Sequence, residues 1–120
     1  MSSFSIREEP DSVVVSIDDP NALNDFRSNS FRDTFYESVT GFEQKGVALD
    51  LGRVDFLSSS GVAILVGLKR RVEGKQGRLV LFAVQPVVQD LLRITRLTQF
   101  FTFAGDETDA LSKLPPLPTV

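Results

Sequence analysis

The chain has 120 residues, 42% of them hydrophobic and 24% charged, with a formal net charge of −3 and neither Cys nor His. Its length fits one domain of the commonest size, roughly 100 to 150 residues, and its apolar content suffices for a core, which excludes disorder and fibrous repeats. The missing Cys and His exclude disulfides, thiolate nucleophiles, imidazole bases and the usual zinc sites, and a negative balance disfavours nucleic acid as a partner.

Ser3 to Glu8 and Val13 to Ile17 are short runs with β-branched or aromatic residues, separated by Glu9-Pro10-Asp11-Ser12, which has turn composition. They read as a hairpin. From Asp18 to Ser30 the chain is rich in Asp, Pro, Asn and Ser. Phe31, Phe35, Val39 and Phe42 then recur at helical spacing, and Ser30 with Asp33 three residues on forms a variant capping box. This predicts a helix from Ser30 to just before Lys45-Gly46.

Val47 to Leu51 is mostly apolar, as in a strand buried on both faces, and is expected to be central. After a mixed stretch from Gly52 to Leu57, Ser58-Ser59-Ser60-Gly61 leads into a run with Val62, Leu65, Val66, Leu68 and Val72 apolar, a second helix with serines at its N-terminal edge. Gly74 and Gly77 bracket a turn, and Arg78 to Val84 reads as another buried strand. Pro86 stands where a first helical residue would, ahead of Val88, Leu91, Leu92 and Thr95 on one side, with Arg93 and Arg96 near the end. Phe100 to Phe103 is expected as a last strand, and Asp106 as the cap of a short helix carrying Ala110, Leu111 and Leu114. Pro115, Pro116 and Pro118 then stop it.

Two strands followed by alternating strand and helix imply an α/β fold, a mixed sheet of four to five strands backed by about four helices. Without an internal repeat or a linker, residues 1–120 are expected to form one domain with its core at roughly 4–114 and a proline-rich tail at 115–120. The longest purely apolar run, Leu79 to Val84, is six residues. With no leader-like N-terminus beside it, this points to the cytoplasm and to no membrane partner. Residues 1–60 carry 11 acids and 5 bases, and residues 61–120 carry 5 acids and 8 bases. The basic group Lys69-Arg70-Arg71 is expected to end a helix and complement its dipole.

The serine triplet is the most informative stretch. A polar loop that leaves a buried strand and enters a helix lies at the carboxyl end of that strand, where open α/β sheets handle ligands. The serines would either cap the helix amides or form a turn that receives a phosphate. Ser60, closer to the helix, is expected to be held by capping, leaving Ser59 to project into solvent. Ser59 as a hydrolytic nucleophile lacks a base, because there is no His, no Ser-x-x-Lys and no Gly-x-Ser-x-Gly elbow. Asp18, Asp19 and Asp25 lack the alternating ligand pattern of a calcium loop. No catalytic residue, metal or cofactor is therefore expected.

Val47 to Leu51, followed by Phe56-Leu57-Ser58-Ser59-Ser60-Gly61-Val62, resembles the signature of the STAS domain, shared by sulfate transporters and bacterial anti-sigma factor antagonists. The resemblance continues through Arg78-Leu79-Val80-Leu81, Pro86-Val87-Val88 and Leu91 to Leu97, and covers roughly Phe4 to Leu114. It implies a phosphoacceptor serine, which alignment on Gly61 places at Ser59, flanked by Ser58, Ser60 and Gly61. Ser58 stands where the family carries an Asp. The segment that includes Asn21 to Ser28 is longer than usual and commonly faces the partner, which marks Asn21, Asn24 and Asp25 as a partner-binding surface. The resemblance also implies an anti-sigma factor antagonist, and a monomer is expected. Unphosphorylated at Ser59, it would sequester an anti-sigma factor with serine kinase activity, and ATP would belong to that partner. The alternatives are a ligand or anion sensor that is not phosphorylated, and a scaffold subunit of a signalling complex.

Overall fold

The computed structural model describes residues 3–24, 28–41 and 46–114. Strands β1 (Phe4–Glu8) and β2 (Ser12–Ile17) pair antiparallel, with Ile6 opposite Val15. Pro10 and Asp11 turn the chain between them, and the Glu9 amide closes the turn by donating to the Ser12 carbonyl at 2.8 Å. Then follow α1 (Ser28–Val39), β3 (Gly46–Asp50), α2 (Ser59–Gly74), β4 (Arg78–Phe82), α3 (Pro86–Ile94), β5 (Thr102–Ala104) and α4 (Glu107–Ser112). The strands lie side by side in chain order, and every pair after the hairpin is parallel. The mixed sheet with a central Val47 strand is thus as the sequence predicts.

Side chains alternate across a strand, so the register sorts the strand residues into two layers. Val13, Val47 and Leu79 align in one row and Val15, Leu49 and Leu81 in the next. Helices α1, α2 and α3 cover that face with Phe31, Phe35, Ile64, Leu65, Leu68, Val88 and Leu92, among others. The opposite face, with Val14, Ala48, Val80 and Phe82, is covered by Ala110 and Leu114 from α4 and the turn after it. Each fully buried side chain of this size contributes about 1.5 to 3 kcal/mol. Among the described residues no helix is long and apolar enough to cross a membrane.

Several boundaries differ from those read in the sequence. Helix α1 begins at Ser28, so Ser30 is its third residue and cannot be the cap, whose backbone is by definition non-helical. No proline or β-branched residue in Ser28-Asn29-Ser30 opposes that extension. Asp33, the other half of the predicted capping box, takes the Arg32 guanidinium at 3.2 Å instead. The helix stops at Val39 rather than near Lys45 because Gly41, at φ +100°, supplies a left-handed exit open to glycine. Phe42, the fourth residue of the predicted stripe, and the proline tail lie outside the described residues.

Strand β4 ends at Phe82, two residues early, because Ala83 turns to φ 56°. The last strand runs from Thr102 to Ala104, not from Phe100, since the Leu97 carbonyl draws the amides of Phe100 and Phe101 into a turn. Pro86 opens α3 as predicted, and the Asp106 carboxylate caps α4 by accepting from the Asp109 amide at 2.8 Å.

Candidate functional site

The loop from Leu51 to Ser58 leaves the central strand and returns across the carboxyl edge of the sheet. Leu51, Val54 and Leu57 are buried and anchor it, while Asp55 and Phe56 face outward. Two polar side chains fix its start. The Asp50 carboxylate accepts from the Gly52 amide at 2.8 Å, and the Gln85 amide nitrogen donates to the Gly52 carbonyl at 2.7 Å. The second bond ties the entry of α3 to this loop.

The three serines take three different roles. Ser58 has extended backbone (φ −78°, ψ 173°) and is the N-cap of α2, its hydroxyl accepting from the Gly61 amide at 3.0 Å. The same hydroxyl donates to the Leu23 carbonyl at 3.1 Å, and Ser58 is only 5% exposed. This corrects the expectation that Ser60 is the serine held by capping. Only the hydroxyl three residues before Gly61 reaches that amide, so Ser60 is left exposed in the first helical turn. Ser59 is exposed, as expected.

Ser59 and Ser60 also differ in what lies beside them. Ser59 lines a groove of about 260 Å³ toward α3, formed with Leu57, Ser58, Val62, Leu91, Ile94 and Thr95. Ser60 lines a separate cavity of about 290 Å³ toward α1, with Arg32, Ala63 and Ile64. The amides of Ser59 and Ser60 occupy the helix end, where no intrahelical acceptor exists, and have no acceptor among the described residues. The positive end of the helix dipole therefore points to the Ser59 hydroxyl's surroundings.

The rim of the Ser59 groove is largely apolar, with Leu57, Val62, Leu91 and Ile94 among its lining residues, and Ile94 is 72% exposed. Val87, Leu91 and Ile94 follow one another at helical spacing along α3, beside the buried stripe of Val88 and Leu92. Sequence reasoning assigned this helix one apolar side and missed the second stripe, whose signal was a run with more apolar residues than one buried face needs.

The structure brings part of the 18–24 segment to the serine turn. Ala22 and Leu23 are buried, and the Leu23 carbonyl meets both the amide and the hydroxyl of Ser58, each at 3.1 Å. Gly61 makes room for this approach, since a Cβ there would overlap the Leu23 carbonyl oxygen. Asn21 is exposed at the bend, its amide donating to the Asp19 carboxylate at 2.9 Å, and Asn24 is half-buried. Asp25 lies outside the described residues. Among the described residues no group of three or more His, Cys, Asp or Glu is arranged to hold a metal.

Tyr36 sets the spacing of α1 and α2. Its hydroxyl donates to the Ile64 carbonyl at 2.8 Å, and the absent side chain of Gly67 leaves space for it. Burial pushes the phenol pKa up, so it acts as a neutral donor. The Arg71 guanidinium lies 4.3 Å from the centre of the Tyr36 ring, and the Lys69 amine lies 5.0 Å from that of Phe100 and pairs with Glu73. Two of the three cations in the basic group are thus engaged within the fold, near the end of α2.

A family profile described as STAS domain matches residues 3–110. The chain is 31% identical over 67 residues to a Bordetella bronchiseptica protein named as an anti-sigma factor antagonist, BtrV, a match spanning 56% of this chain and 58% of that protein. It is 25% identical over 92 residues to the anti-sigma F factor antagonist of Paenibacillus polymyxa, covering 77% of this chain and 79% of the relative. Among solved structures, an anti-sigma-factor antagonist (STAS) domain protein from Planctomyces limnophilus superposes with a TM-score of 0.80 at 22% identity, covering 92% of this chain and 97% of that one.

Proposed function

The chain belongs to the STAS domain family, and on that premise we propose that it is an anti-sigma factor antagonist, a binding module switched by phosphorylation of Ser59. The observation that carries the reading is the position of Ser59, exposed at the start of α2 and lining a groove it shares with the apolar Leu57, Val62, Leu91 and the 72% exposed Ile94. Exposed apolar surface of this kind is characteristic of protein-binding sites. The names of the two relatives support an anti-sigma factor as the partner.

The chemistry of the switch follows from the site. In the unmodified state a small neutral hydroxyl lies beside the apolar rim, and a partner can exclude water from both at little cost. Phosphorylation transfers the γ-phosphoryl group of the partner's ATP to the Ser59 oxygen, with ADP leaving and the hydroxyl proton released. The product carries about −1.5 to −2 charges at pH 7. On the free chain that charge meets the helix end, where an anion is stabilised by about 0.3 to 1 kcal/mol, so the fold tolerates it. In the complex the same group would have to be buried unpaired against apolar surface, which costs several kcal/mol and releases the partner.

Ser60 is less suited to this role, because the cavity it lines opens toward α1 and away from the apolar rim. Ser58 is less suited still, being buried with its hydroxyl engaged twice. The test is a pull-down from the native host with the unmodified chain and the Ser59→Asp variant as baits. Retention of an anti-sigma factor by the first and not by the second is expected; equal retention by both, or none by either, contradicts the reading.

A further inference from the structure

We infer that Ser58 is a positioning residue, latching the 19–24 segment to the Ser59 turn so that the two meet the partner as one surface. The latch stands on geometry alone, whereas its consequence for the partner rests on the function proposed above. A single hydroxyl performs two jobs: it accepts from the Gly61 amide at 3.0 Å, which caps α2, and donates to the Leu23 carbonyl at 3.1 Å, which holds a distant segment. The Ser58 amide donates to that same carbonyl at 3.1 Å. With Ser58 only 5% exposed, water competes poorly for either bond.

The segment held in this way is fastened at both ends. At its root the amides of Asp18 and Asp19 donate to the Ser3 carbonyl at 2.7 and 3.1 Å. At its far end Ala22 and Leu23 are buried and Ser58 holds the backbone. Asn21 stands exposed between the two fastenings. The position of this exposed bend relative to Ser59 therefore depends on the Leu23 carbonyl, and Gly61 preserves the approach by having no Cβ.

The two jobs can be separated chemically. A carboxylate at position 58 still accepts from the Gly61 amide, but when ionised it has no proton to give, and it sets a negative charge against the Leu23 carbonyl oxygen. Ser58→Asp thus keeps the cap, removes the hydroxyl bond of the latch and sets a repelling charge beside the amide bond that remains, whereas Ser58→Thr keeps a hydroxyl for both. Gly61→Ala attacks the latch from the other side, by displacing the Leu23 carbonyl while leaving the Ser58 hydroxyl in place.

The experiment is amide hydrogen exchange on the full chain alone, followed by affinity for the anti-sigma factor retained in the pull-down. Ser58→Asp and Gly61→Ala are each expected to speed exchange at the amide of residue 58 and in residues 22–24 by about tenfold more than any change in β3 and β4, with Ser58→Thr close to wild type. Protection at Ser58 and in residues 22–24 that survives in Ser58→Asp, or in Gly61→Ala should Ser58→Asp fail to fold, overturns the latch. Where the latch is broken, affinity is expected to fall about tenfold and Ser58→Thr to restore it. Unchanged affinity would overturn the composite surface and leave the latch standing. If the wild-type chain retained no anti-sigma factor, the function proposed above would fail, and the exchange result would still decide the latch.

Discussion

Ser59 and Ile94 line one groove, although they belong to different helices separated by strand β4. Helix α3 is held there by the buried Val88 and Leu92, and by the Gln85 bond to Gly52 at its entry. Ile94, at 72% exposure, has little to gain from the fold itself.

Replacing Ile94 by Asp should therefore separate binding from folding. Stability should stay within about 0.5 kcal/mol of wild type, as for surface substitutions generally. Affinity for the anti-sigma factor should fall by about tenfold or more, because exposed apolar anchors carry a disproportionate share of interface energy. Denaturant melts and titration calorimetry check the two halves, and an unaltered affinity would place the interface elsewhere.

Gly61→Ala tests backbone approach against helix propensity. In an open helix position alanine would gain about 0.5 to 1 kcal/mol over glycine. Here the new methyl would overlap the Leu23 carbonyl oxygen, which belongs to the backbone and does not swing aside as a flexible side chain would. A net destabilisation of about 1 to 3 kcal/mol is expected in urea melts. A gain in stability would mean that the 18–24 segment does not sit against α2.

Phe35→Ala and Leu65→Ala should each destabilise by about 2 to 5 kcal/mol, since both side chains are fully buried on the faces of α1 and α2 that cover the sheet. Phe35 also stacks with Phe31 at 4.9 Å between ring centres and meets Phe4 edge-on at 5.2 Å, so its loss opens contacts to the hairpin as well. Losses well under 1 kcal/mol would contradict this packing.

Phosphopeptide mapping after incubation with the retained anti-sigma factor and ATP should find the phosphate on Ser59. Ser58 should be unmodified, because its hydroxyl is buried and doubly bonded. Phosphate on Ser60 alone would move the site to the α1 side of the helix, next to Arg32.

Where a segment's pattern depends on its own residues, the sequence read well. The Val47 strand, the helix after Gly61 and the Arg78 strand emerged from apolar runs and helical spacing, and the parallel pairing of Val47 with Leu79 follows from the crossover between them. What distant residues decide was not legible. Three consecutive serines present identical hydroxyls, and the Leu23 carbonyl, brought in from before α1, holds that of Ser58 in place beside the Gly61 amide that it caps. The rim of the groove likewise joins Ile94 to Ser59 by tertiary packing, which no local pattern encodes. The end of α1 was a lesser failure, for Gly41 was present in the sequence and its left-handed backbone explains the early stop.

The most direct test of the switch is the dissociation constant of the anti-sigma factor for the unmodified chain and for the same chain phosphorylated on Ser59, measured side by side with the melting temperature of each. Burying an unpaired dianion should weaken binding by about a hundredfold or more, while the melting temperatures stay close together because the phosphate meets a helix N-terminus. Equal dissociation constants for the two forms, or loss of binding that merely accompanies unfolding, would contradict the account.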